Sequence, residues 1–334
     1  MLAWLDGTVL PVEDARVPIL DRGFLFGDGV YELVRFFGGV GVQMDDHVQR
    51  LRRSLRASRI EGFDAASMPL ICRTLLDAAG LRDASVYLQV TRGVAPSRHH
   101  VPPRGMKPTV AAFAAPMCSL PEFAGPEPVE AVLIEEIRWK RCDIKTISLM
   151  GNVLALLDAE ERLAEVVGPG GAGPTASDAR ASAGADDAPG AALRRPFSGF
   201  EAILHRGGRI AEGTSTNVLA RFGDRLATPP VDADPPILHG VTRLLAEAAA
   251  AESGFAFEHR PIDVEELRCA DEIMLLSSRR IVASVLQLDG RPVGEGACGP
   301  AAATLFAAAR RRIAAQCGIA LPDAIGSAAV LAAP

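Results

Sequence analysis

Two blocks of the same kind make up this chain, each of glycine-turned strands followed by amphipathic helices. In the first block, WLDGTVL reads as a strand broken by an Asp-Gly turn, and VRFFGGVGVQM as a hairpin through Gly38 and Gly39. DDHVQRLRRSLRASRI places Val48, Leu51, Leu55 and Ile60 at helical spacing, with Asp45 or Asp46 as the cap. A second helix is expected over 66–79, ending at Gly80, and ASVYLQVTRG and TVAAFAAPM are strands around a loop rich in Pro and His at 95–108. The second block repeats the scheme: VEAVLIEEI, a strand holding Lys145, a helix over 151–167, the hairpin FEAILHRGGRIAEG, a strand-turn at TSTNVLARFG, a helix at GVTRLLAEAAAAESG, strands at EIMLLSS and IVASVLQLDG, and a helix near 300–317. Hairpins and helices grouped this way predict an α+β protein of two domains, not a regular βαβ sheet. The expected division is a small domain over 1–117, a linker at 118–128 (CSLPEFAGPEP), a larger domain over 129–320 and a loose tail over 321–334. Residues 168–196 are Gly, Ala, Pro and Asp with almost nothing large to bury, so a disordered surface insertion is expected there.

Composition removes several classes of function. A formal charge of −6 over 334 residues argues against broad non-specific nucleic-acid binding. The N-terminus has an acid at Asp6 and no basic leader, which argues against a secretory signal, and no apolar run is long enough to span a bilayer. Cys72, Cys118, Cys142, Cys269, Cys298 and Cys317 have neither close pairing nor metal-ligand spacing. They read as reduced residues of a cytoplasmic protein with no metal.

Four stretches offer chemistry. In CDIKTIS, strand periodicity puts Asp143, Lys145 and Ile147 on one face and Ile144 and Thr146 on the other. Lys145 is then either a lysine at a surface or cleft edge, or a buried amine that loses its proton easily and attacks carbonyls. DRGFLFGDGVYE has Gly23, Gly27 and Gly29, which require tight turns or close backbone approach. It lacks the Gly-Lys-Ser/Thr of a Walker loop. Tyr31, directly after it, either packs with its hydroxyl satisfied or serves a site. AEGTSTNV is either a hydroxyl-rich turn or a collar of donors around a polar ligand. HGVTR opens a helix at Gly240 and Thr242, where free N–H groups suit a phosphate or only the helix's own cap.

In this order, DRGFLFGDGVYE, HVQRL, YLQVTRG, EEIRWKRCDIKTISLMG, EAILHRGGRIAEGTSTNV, ILHGVTR and DEIMLLSS resemble the class IV pyridoxal-phosphate (PLP) aminotransferases. Within that family the likeness is to the D-amino-acid enzymes. The resemblance implies the two-domain fold of that family (PLP fold type IV), a homodimer, and PLP held by Lys145 as a Schiff base. It implies that Glu212 faces the pyridine nitrogen, that Arg50, Val241 and Thr242 hold the phosphate, with Ser277 and Ser278 beside the cofactor, and that Tyr31 lies near the substrate. In RGVAPSRHHVPP, Arg98 and His100 match the pair that receives the substrate carboxylate, with His99 the alternative because Ser97 lengthens the loop by one residue. The implied reaction converts a D-amino acid such as D-alanine, with 2-oxoglutarate, to an oxo acid such as pyruvate and D-glutamate. Branched-chain L-amino-acid transamination, aminodeoxychorismate lysis, and a silent binding protein of this fold are the alternatives. Arg279 and Arg280 stand where the family usually has small or hydroxylic residues and an acid. They favour a dicarboxylate only if one of them points into the pocket.

Overall fold

The computed structural model describes residues 1–167, 199–234 and 236–322. The insertion expected at 168–196 and all but the first two residues of the tail expected at 321–334 lie outside them.

The first sheet contains β1 (Leu2–Leu5), β2 (Thr8–Pro11), β3 (Gly29–Phe37), β4 (Val40–Gly41), β5 (Ala84–Thr91) and β6 (Thr109–Pro116), in the spatial order β2-β1-β6-β5-β3-β4. All its pairings are antiparallel. Asp6 and Gly7 both have positive φ, which turns β1 into β2 in two residues. On β5, Ala84, Val86, Leu88 and Val90 alternate inward. They meet α2 (Met44–Ser58) and α3 (Met68–Ala79), whose Leu51, Met68 and Leu75 are fully buried in the same core. Each such side chain contributes about 1.5–3 kcal/mol by leaving water. Neither aspartate caps α2: Gln43 takes the N-cap position at φ 49, and Asp45 and Asp46 fall inside the first turn. The β4 hairpin feeds the helix directly, so the helix begins two or three residues earlier than the cap pattern implied. The aspartates still stabilise the helix end through its dipole.

The second sheet contains β7 (Glu127–Glu135), β8 (Phe200–Arg206), β9 (Arg209–Gly213), β10 (Asn217–Phe222), β11 (Arg225–Thr228), β12 (Ala256–His259), β13 (Glu272–Ser277) and β14 (Ile281–Leu288), ordered β12-β11-β10-β13-β14-β7-β8-β9, with β15 (Arg291–Pro292) on β14. β7 runs parallel to both β8 and β14. Parallel neighbours need a crossover, and α4 (Met150–Val167) lies in the one between β7 and β8, packing Ala155 and Ala159 against them. The short β11 and β12 escape the sequence pattern. α5 (Val241–Glu252) and α7 (Pro300–Cys317) pack on β10, β13 and β14. Phe37 and Val42 of the first half, and Leu120 of the 118–128 segment, enter this same cluster. α1 (Arg22–Phe26) and α6 (Val264–Arg268) are single short turns. No helix among the described residues is long and apolar enough to cross a membrane.

The strand expected around Lys145 is absent. Residues 136–149 are irregular, with a single bridge between Val30 and Thr146. The apolar residues that suggested a strand are used otherwise: Ile144 leaves the second half and buries itself in the core of the first. The two-face assignment of residues 143–147 therefore does not apply.

Candidate active site

A cleft of about 570 Å³ is lined by residues of both halves. Lys145 reaches it from the irregular segment, which is hydrogen-bonded to the start of β3. Tyr31 N donates to Lys145 O at 3.0 Å and Ile147 N to Gly29 O at 3.1 Å. Thr146 Oγ1 donates to Gly29 O at 3.2 Å, and Lys145 N donates to Ser54 Oγ of α2 at 3.2 Å. This crossing needs glycine on the other side. A Cβ on Gly29 would stand 2.8 Å from Ile147 Cδ1 and 2.9 Å from Val90 O, and Gly27 has φ +63 with Ser148 against it. Lys145 Nζ lies 4.3 Å from the centroid of Tyr31, whose ring stacks on Tyr87 at 5.3 Å.

Glu212, on β9, is buried and lines the same cleft. Arg138 Nη2 donates to its Oε1 at 2.9 Å, while Asn217 Nδ2 and Leu238 N donate to Oε2 at 3.3 and 3.1 Å. Burial pushes the Glu212 carboxyl up, and the Arg138 guanidinium opposes it. Arg138 also bonds Glu136 through Nε. Burial acts against its charge, but Glu212 and Glu136 outweigh that and hold the guanidinium above its ordinary value. Sequence reasoning missed this clamp. Arg138 and Glu212 are 74 positions apart, and only the odd charge in EEIRWKR hinted at it.

Arg50, on α2, grips Glu32 with both arms: Nε to Oε1 at 2.8 Å and Nη2 to Oε2 at 2.7 Å. His47 Nδ1 donates to the same Oε2 at 2.7 Å. Burial by itself would raise the Glu32 carboxyl, but Arg50 and His47 overcome it and hold it far below the carboxylate range. Burial in turn lowers His47, with Glu32 opposing. Arg50 Nη1 reaches His239 O at 3.4 Å, beside the start of α5. There Gly240 is the N-cap, with no side-chain cap, so the first amides of a 12-residue helix remain available. Val241 and Thr242 line the cleft at that point, and Ser277 and Ser278 line it from the end of β13.

Tyr31, Arg50, Lys145, Glu212, Val241, Thr242, Ser277 and Ser278 thus share one cleft. Arg98, His99 and His100 are not on its wall: all three are exposed. Arg22 fixes their loop, donating from Nη1 to His99 O at 2.6 Å and from Nη2 to His100 O at 2.9 Å. The Arg98 guanidinium sits 5.0 Å from the Phe26 centroid and the His100 ring 5.5 Å from it. The hydroxyls of Thr214, Ser215 and Thr216 turn to the buried carboxylate of Glu201. The AEGTSTNV run thus forms a turn at 214–216 whose hydroxyls serve Glu201, and the whole stretch from Glu212 to Asn217 lines the cleft. Arg280 is buried with Nε 3.4 Å from Glu127, whereas Arg279 lines the cleft.

Among known proteins, residues 29–167 and 191–288 match the model of amino-transferase class IV. A D-alanine aminotransferase of Bacillus licheniformis is 33% identical over 301 residues, covering 90% of this chain and 93% of that protein. A branched-chain aminotransferase of Thermoproteus uzoniensis with norvaline superposes with a TM-score of 0.73 at 21% identity, covering 95% of each chain. The branched-chain amino acid aminotransferase of Escherichia coli gives a TM-score of 0.71 at 23% identity, covering 97% of each.

Proposed function

The chain belongs to the class IV aminotransferase family, and from that premise we propose that it is a homodimeric PLP enzyme that moves the amino group of a D-amino acid such as D-alanine to 2-oxoglutarate. The observation that carries this reading is the convergence of Lys145, Glu212, Arg50 and the uncapped start of α5 on one cleft.

The residues fit PLP. The N-terminus of α5 and Arg50 offer amides and a guanidinium to a phosphate, with Ser277 and Ser278 beside the cofactor. Glu212, with both oxygens held by donors, offers a fixed carboxylate to a pyridine nitrogen. When bound, PLP supplies a ring that spreads the charge left on the substrate Cα. Lys145 Nζ would hold the cofactor and, once the substrate amine displaces it, would be the free amine that takes up and delivers the Cα proton. Tyr31 walls this amine on one side, keeping it directed into the cleft. Arg138 positions Glu212 and, being anchored to Glu136 as well, does not depend on it to stay in place.

Arg98 and His100 are the proposed carboxylate receptors. Exposed and away from their own chain's cleft wall, they suit a role across a subunit boundary. The stripe Met150, Val153, Leu154 and Leu157 on α4 is exposed at i, i+3, i+4, i+7 spacing, which supports an interface in the dimer. The likeness to D-alanine aminotransferases over most of the chain supports the D-hand. The branched-chain structures share the fold. The assay follows amino transfer to 2-oxoglutarate from D-alanine and from L-leucine. D-alanine should react faster, and faster transfer from L-leucine would reverse the assigned hand.

A further inference from the structure

Arg35, on β3, has no part in the transamination site, yet it is 3% exposed. Its Nε, Nη1 and Nη2 have no hydrogen-bond partner among the described residues, and no carboxylate among them pairs with it. Two rings flank the guanidinium: its Cζ is 4.9 Å from the Phe123 centroid and 5.5 Å from that of Phe37. Such contacts stabilise a cation through its faces, but they leave the in-plane N–H groups unmet. Arg35 lines a small cavity of about 20 Å³ together with Gln43, His47, Thr242, Ser277 and Ser278. That volume suits one water-sized species, since about 10–15 Å³ is the minimum for one. Ser277 Oγ already accepts the Arg280 amide at 3.3 Å, so its own hydrogen is left to donate.

A buried cation without a counter-charge is costly, and a water supplies dipole but no charge. Losing the proton is not the remedy: burial lowers the guanidinium to about 9, so it remains charged at neutral pH. Arg279 adds positive charge nearby, and the Cys118 thiol, raised by burial, stays neutral. Fixed donors, a net positive surround and room for one small species describe a halide site. We propose that Arg35, with the hydroxyls of Thr242, Ser277 and Ser278, binds a single monovalent anion the size of chloride behind the proposed phosphate cradle. The inference does not depend on the substrate: it concerns the wall that Thr242, Ser277 and Ser278 share between the small cavity and the cleft.

Two measurements on the purified holoenzyme test it. Crystals soaked in sodium bromide should give an anomalous peak within hydrogen-bonding distance of the Arg35 guanidinium. Replacing gluconate by chloride at constant ionic strength should raise the unfolding midpoint by about 3 °C, and Arg35→Met should abolish that rise. The variant removes charge and donors together while filling the space, a change that buried sites commonly tolerate. A water, or a carboxylate from elsewhere in the protein, against Arg35 in place of bromide would overturn the proposal. So would a chloride response equal in wild type and Arg35→Met.

Discussion

The Lys145 segment and the Arg98–His100 loop are both irregular, and both are tied to the start of the first half, but they are tied differently. Around Lys145 the backbone itself is bonded, to Tyr31, Gly29 and Ser54, and Ile144 is sunk into a core. The 98–100 loop is held from outside by Arg22 reaching its carbonyls, and its side chains are left exposed. The first arrangement fixes an amine inside the chain's own cleft. The second presents an arginine and a histidine outward, on a rigid base but with nothing of their own chain's cleft to act upon. On the proposed function, reaction chemistry and substrate choice would be separable parts of this molecule.

Lys145→Ala tests that contrast most severely. It should lower amino transfer by about 10⁴-fold or more while shifting stability by only ~0.5 kcal/mol, measured by single-turnover kinetics and thermal unfolding. An equal loss on Arg98→Ala would erase the distinction. Arg98→Ala is instead expected to raise the amino-acid KM by roughly 10–100-fold, the loss of one charge-assisted contact, with a smaller change in kcat, read from steady-state kinetics.

The smallest effect concerns stability against pH, in the Glu32–His47–Arg50 cluster at the base of the cleft. The folded Glu32 carboxyl is depressed, so its contribution is present above the unfolded carboxylate value near 4.5 and is lost as pH falls toward the folded value. The folded His47 is depressed too, so below its unfolded value of 6.5 the unfolded state takes up protons that the folded state does not. Both signs agree: the unfolding free energy should fall as pH drops from 7 toward 4. Each group contributes a slope of at most about 1.4 kcal/mol per pH unit between its unfolded and folded values. Glu32→Gln should flatten the acid part of that curve in urea titrations. An unchanged slope would remove the cluster as the cause, whereas Arg98→Ala should leave the slope as it is.

The helices and hairpins were legible because their signals lie within a few residues: the Asp6-Gly7 turn, Gly38-Gly39, Gly80 after α3, and the alternation on β5. The glycines at 27 and 29 announced a close approach without saying to what. It proved to be the Lys145 segment. β11 and β12, four residues each, were too short to show a period. The same brevity of signal misled at Lys145, where apolar neighbours read as a strand because sequence does not say which core Ile144 joins.

The two-block architecture, the family likeness and the chemical types at Lys145, Glu212 and Arg50 were all written in the order of the residues. Local periodicity and ordered motifs depend on neighbours along the chain, and those are spelled out in full. It took the folded molecule to establish that Arg138 clamps Glu212, that Arg50 and His47 share Glu32, that the 214–216 hydroxyls belong to Glu201, and that Arg35 is buried without a partner among the described residues. These are charge pairings and unmet donors between residues up to tens of positions apart. Their energies depend on burial and distance in space, which no spacing along the chain encodes.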